Sequence, residues 1–218
     1  MRLLCLKYNL PDPLMLLGQP PMSKSSWKTL VKTRVTVFHE NQQRLKAKSN
    51  SKLTNFNVDL LGLAGAPHPA VQYIKVPQEA MKMRAHIKML SGDFLSYEVL
   101  ANERGGSPHC RLCTAEVESV QHILTECSAT SDTRQCLYPD LLNLISSIQP
   151  DSDVLNVRLE KSTLTQFILD PTSMNLNNSC RISFSHPRLQ DLLDLSCAWC
   201  TGITKQRGRL LQALKNNP

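Results

Sequence analysis

The sequence predicts a mainly α-helical protein, an irregular helical assembly around one small knuckle of cysteines and a histidine. Apolar residues recur at the helical period along most of the 218 residues. No segment alternates apolar and polar residues as a half-buried strand does, and no internal repeat is present. The stretch Cys110 to Cys127, CRLCTAEVESVQHILTEC, places Cys110, Cys113, His122 and Cys127 at C-x2-C-x8-H-x4-C.

In chain order, Asp12-Pro13 ahead of LMLLG offers a cap, a proline at the first helical position and a terminating Gly18, so a short helix is expected. Gln19 to Met22 is a proline-containing break. From Ser25 or Ser26 a long helix follows, with Trp27, Leu30, Val31, Arg34, Val35 and Phe38 on the helical period and a polar tail to about Lys48. Residues 49–76 cluster Asn, Gly and Pro and read as an irregular connection. A helix should run from Pro77 to Leu90 and stop at Gly92. Asp93 should cap another through Leu100.

Beyond the knuckle, Ser128 to Ser131 begins a helix through Leu137, Leu141, Leu144, Ile145 and Ile148, ended by Pro150. Residues 150–156 read as a loop, Leu159 to Leu169 as a helix ending at Asp170-Pro171, and residues 171–184 as a surface loop. Pro187 opens the last helix, through Leu189, Leu192, Leu193, Cys197 and Cys200, with Gly202 and Gly208 weakening its later turns.

The knuckle has the arithmetic of a structural zinc site. Two cysteines three apart point at one ion from a tight turn, and a later His and Cys close the tetrahedron. Glu116 to Glu126 should form a short helix with His122 in its middle. On an ideal α-helix Cys127 would lie about 140° round from His122. It reaches the same ion only if the helix ends or loosens near Glu126. Three Cys and one His make a closed, structural site with no position for water. Cys136 is the one alternative fourth ligand, and His109 is expected beside the site rather than in it.

Charge is unevenly placed within a net +7. Residues 1–50 hold nine Lys/Arg against two acids, and residues 201–218 hold four against none. Basic ends are the usual footprint of a nucleic-acid partner, though a solvated helix face looks the same in sequence. No apolar run approaches the 18 residues of a membrane span. The opening MRLLCLK is too short and too soon broken by Lys7 and Pro11 for a signal peptide. The expected compartment is therefore reducing, cytoplasm or nucleus, with the eight cysteines as ligands or buried thiols.

Enzyme signatures are missing. His39-Glu40 begins like a zincin helix but lacks its second His. There is no phosphate-binding glycine loop and no nucleophile elbow. Cys197 and Cys200 repeat the C-x2-C spacing inside an apolar helix, where they read as small buried hydrophobes.

Several pieces together carry a family likeness: LPDPLMLLGQPPMSKSSWKTLVKTRV, then KMLSGDF, the knuckle, and FILDPTS before the terminal helix. From about Leu10 to Leu211 the chain resembles the region downstream of the reverse transcriptase domain in the polymerase polyprotein of non-LTR (LINE-type) retrotransposons. That resemblance implies a Cys-Cys-His-Cys motif helping to hold element RNA or target DNA, with Cys110, Cys113, His122 and Cys127 as ligands. The Asp-Asp pair of a polymerase palm is absent, as is an endonuclease domain. The chain is expected to be the non-catalytic tail of a larger element protein, a fragment or degraded copy, with Met1 an accidental start.

The resulting expectation has three segments: a basic N-terminal helical region (1–100), the zinc knuckle (101–135) and a C-terminal helical region (136–218). RNA or DNA would be bound without sequence preference by Lys24, Lys28, Lys32, Arg44, Arg104 and Arg111, with no membrane and no small-molecule substrate involved. The alternatives are a zinc-stabilised protein-interaction module and an inert retroelement remnant.

Overall fold

The computed structural model describes residues 2–53, 55–60, 68, 77–148, 160–173 and 187–216. Helices make up most of them, and the mainly α expectation holds. Among the described residues there is no strand, only an isolated antiparallel bridge between His109 and Val117. No described helix is long and apolar enough to cross a membrane. The chain forms two compact units, residues 1–51 with 58–66, and residues 52–57 with 67–218. Residues 77–100, expected within the basic N-terminal region, pack in the second unit.

The first unit holds α1 (Arg2–Lys7), α2 (Pro13–Leu16) and α3 (Lys24–Lys48). Asp12 caps α2 by accepting the Leu14 N–H, as the Asp-Pro pair indicates. α1 falls on the segment whose only sequence signal was a faint apolar start. Its neighbour Tyr8 meets Phe38 of α3 edge to face, ring centres 5.0 Å apart. α3 begins at Lys24, just ahead of the expected Ser25 or Ser26, and its cap is Ser23, whose Oγ accepts the Ser26 N–H at 3.1 Å. The stripe of Trp27, Leu30, Val31, Val35 and Phe38 is half-buried, and no residue of α3 is fully buried. Helix formers such as Lys, Arg, Gln, Leu and Ala, and a good cap, carry much of its helicity.

The second unit contains α4 (Pro77–Leu90), α5 (Tyr97–Arg104), α6 (Ser131–Ile148), α7 (Lys161–Leu169) and α8 (Leu189–Asn216). Its core is built from Met89, Phe94, Ile123, Leu124, Leu141, Ile145, Phe167, Ile168, Leu192, Leu193, Trp199 and Ile203. α8 packs against α4, α6 and α7, and the two glycines expected to weaken it leave it unbroken to Asn216.

α4 ends where expected. The Asp93 N–H reaches the Lys88 carbonyl and the Gly92 N–H reaches Met89, the paired bonds of a Schellman cap. Gly92 sits at φ +70°, and a Cβ there would come within 2.6 Å of the Lys52 carbonyl oxygen. The cap of α5 is not Asp93 but Ser96, whose Oγ accepts the Val99 N–H at 3.3 Å, and the helix runs on to Arg104. Asp93 hydrogen-bonds Ser91 instead. The expected surface loop after Asp170 begins differently: Pro171–Ser173 is a 3-10 turn in which Pro171 and Thr172 are buried. Thr172 donates its N–H to the Asp170 carboxylate, which supplies the polar partner that burial demands. The rest of that loop, and the expected loop at 150–156, lie outside the described residues.

Candidate metal centre

The knuckle folds by its own backbone. The Thr114 N–H closes a turn onto the Cys110 carbonyl at 2.8 Å, with Thr114 at φ +57°. The Cys110 N–H then donates to Glu116 and the Glu118 N–H to Pro108, both at 2.9 Å, so the chain doubles back around the first cysteine pair. This hairpin, with Val117 in its bridge, replaces the first half of the expected helix from Glu116. Helix begins only at Val120, after the Ser119 Oγ accepts the His122 N–H at 3.1 Å.

From His122 to Glu126 the turn is a π-helix, and the Cys127 N–H reaches the His122 carbonyl at 2.8 Å. Bonding from i to i+5 widens the turn, so five residues advance about 50° past a full circle rather than about 140°. This is the loosening that the spacing required, and it turns Cys127 onto the face of His122.

The four ligand atoms lie within 4.8 Å of one another. Cys110 Sγ is 3.8 Å from Cys127 Sγ, and Cys113 Sγ is 3.3 Å from His122 Nε2. A tetrahedral site with bonds of about 2.3 Å to sulfur and 2.0 Å to nitrogen has edges of about 3.8 Å and 3.5 Å. The observed separations fit that frame, and 3.8 Å is far beyond the disulfide bond length of about 2.05 Å. All seven described cysteines are free thiols. Cys110, His122 and Cys127 are buried and Cys113 is half-buried. Cys136 is exposed on α6 and outside the cluster.

Residues that the sequence did not single out orient these ligands. The His122 Nδ1–H faces the Glu116 carboxylate at 3.3 Å, with Glu126 at 3.8 Å, which leaves the Nε2 lone pair toward the thiols. Burial works to raise the Glu126 carboxyl, but the Gln121 amide and its other partners hold it below its ordinary value. Arg134 donates to the Cys127 carbonyl at 2.6 Å and to Thr130 Oγ1 at 2.7 Å. The Trp199 indole N–H reaches the Leu124 carbonyl inside the π turn at 3.2 Å. Burial pushes the Cys110 thiol up to about 12 and raises Cys127. Burial opposes ionisation of Cys113 as well, but hydrogen bonds led by the Ala115 N–H lower it below its ordinary value.

The basic candidates fall in different units. Lys24, Lys28 and Lys32 are exposed on α3, and Arg44 is half-buried further along it. Arg104 is exposed at the end of α5, and Arg111 lies over the Tyr97 ring, 4.8 Å from its centre. His109 is exposed, as expected of a residue outside the ligand set.

Cys200 is fully buried, and Cys197 lies 3.5 Å from His86 Nδ1. His86 Nε2 bonds the Leu169 carbonyl at 2.7 Å. Burial raises the Cys197 thiol to about 12 and lowers His86, so both stay neutral. Nucleophilic catalysis needs the opposite shift at the thiol. This thiol–imidazole contact packs α4 against α8.

The chain matches no protein-family model, no curated protein and no solved structure. The fold and the donor set define a mainly helical protein with a largely buried Cys3His cluster able to hold a metal ion.

Proposed function

We propose that the cluster holds one structural zinc ion and that the chain is the nucleic-acid-binding, non-catalytic tail of a retroelement reverse transcriptase. The observation that carries the zinc reading is the closed donor set: three sulfurs and an imidazole nitrogen at tetrahedral separations, with no position left for a reacting water. Three thiolates around a divalent ion leave one negative charge. Arg134, bonded to the Cys127 carbonyl, is placed to offset it. The ion would fix the hairpin and the π turn in one arrangement, which the core beneath Ile123 and Leu124 then uses.

The nucleic-acid part rests on the retrotransposon resemblance and on the exposed row Lys24, Lys28 and Lys32, four residues apart on α3. Such a row meets phosphates without reading bases. The test uses the full chain. It should bind one equivalent of zinc, give three-thiolate charge-transfer bands with cobalt, and lose both on Cys113→Ser. A labelled duplex should bind with affinity falling steeply with salt, and Lys24→Glu, Lys28→Glu and Lys32→Glu together should flatten that slope, by about 0.9 per lost phosphate contact. Unchanged zinc uptake in the serine variant would reject the quartet. An unchanged slope would leave the lysine row a solvated face.

A further inference from the structure

We propose that the groove between α4 and the second half of α8 seats a phosphate and the adjoining base of a single-stranded nucleic acid. The groove has a volume of about 340 Å³, in the range of small-ligand clefts. Arg84, Lys88, Lys205 and Arg207 line it, and among the described residues no acidic one does. Arg207 is engaged by Glu118 at 2.6 Å. Arg84, Lys88 and Lys205 form no ion pair among the described residues.

Arg84 and Lys88 stand four apart on one helix face, an arrangement that destabilises the helix unless an anion lies between the charges. Lys205 comes to the same groove from the basic C-terminal stretch. Only folding joins it to Arg84 and Lys88, which stand within residues 77–104, where four basic side chains are matched by four acidic ones.

The floor selects the kind of anion. Met81 is 76% exposed and Leu95 50% exposed, beside the buried Phe94. An inorganic ion makes no use of such an aliphatic surface, whereas the apolar face of an unstacked base beside its phosphate removes it from water. The hydroxyls of Thr201 and Thr204 already donate to the carbonyls of Lys82 and Cys200, so the cations are the donors left for the phosphate. A duplex keeps its bases stacked inside, and a concavity of this size accepts one protruding group rather than its flank. The inference rests on the nucleic-acid reading above and gives it a second location, in the other compact unit.

The experiment titrates the full, zinc-loaded chain into a labelled oligo(dT) and a labelled duplex over a range of salt. One variant carries Arg84→Ala, Lys88→Ala and Lys205→Ala, and a second carries Lys24→Ala, Lys28→Ala and Lys32→Ala. All six side chains lie outside the core, and retained zinc stoichiometry and helical dichroism check the folds. The groove variant should bind oligo(dT) about tenfold more weakly or worse. Its salt slope should be flatter by about 0.7 per lost phosphate contact, and its duplex binding should be retained. Met81→Ser with Leu95→Ser should weaken oligo(dT) without changing the slope. If the groove variant matches wild type while the α3 variant is weakened, the groove is wrong and the nucleic-acid reading stands. If wild type binds neither oligomer, both fall. Binding to anionic vesicles but not to oligo(dT) would overturn the choice of ligand.

Discussion

Glu118, fully buried between the two ligand pairs of the knuckle, lies 2.6 Å from the guanidinium of Arg207 on α8. The same carboxylate oxygen accepts the Tyr97 N–H at 2.9 Å, so one side chain ties α5, the knuckle and α8 together. Among the described residues, its second oxygen and the Arg207 Nε have no hydrogen-bond partner. Arg207→Met should therefore destabilise the chain by about 3–5 kcal/mol, since it strands a buried charge. Adding Glu118→Gln should recover much of that loss, because the amide oxygen still accepts from Tyr97 and no charge remains. Urea unfolding followed by far-UV dichroism reads both. A double variant no more stable than Arg207→Met would show that the charge is not what matters.

Glu116 sets the His122 tautomer from outside the ligand set. Glu116→Gln should lower metal affinity about 10- to 100-fold while leaving the stoichiometry at one ion. Competition against a chelator of known affinity measures it. Equal affinity in the variant would remove Glu116 from the site.

His86 makes stability depend on pH. Burial lowers its pKa below the ordinary 6.5, while Asp170 works to raise it and His68 to lower it further, and the Cys197 thiol faces its other nitrogen. As pH falls through about 6.5 the unfolded chain takes up a proton there that the folded chain refuses. Stability is therefore present above that pH and lost below it, by at most about 1.4 kcal/mol per pH unit for this one group. His86→Gln should show a shallower acid loss than wild type between pH 6.5 and 5. Parallel curves from thermal melts at fixed zinc would sink the assignment.

The helices were legible where periodicity and punctuation agreed. Pro77 and Gly92 frame α4 at both ends, and Pro187 heralds α8. Local signals failed where two residues compete for one role, as Asp93 and Ser96 do for the cap of α5. The ligand quartet was readable because its spacing is local. Even the distortion at Glu126 followed from the angle between His122 and Cys127. Glu116, Arg134 and Trp199 were not readable, since an acid, a guanidinium and an indole carry no sign of which carbonyl or imidazole they will meet. Arg84 and Lys88 were hidden for a related reason: segment charge sums average away a cluster completed by a residue more than a hundred positions later.

The knuckle's four Cys and His side chains all fall between Cys110 and Cys127, whereas two of the groups that brace it, Trp199 and Arg207, come from the last helix. Short loops close with little entropic penalty. On a ribosome building from the N-terminus, the four ligands emerge well before their braces. On the zinc reading proposed above, metal capture would precede completion of the core. Ligation would then protect the thiols early in synthesis, and the late arrival of α8 would lock a turn whose shape the ion had already set.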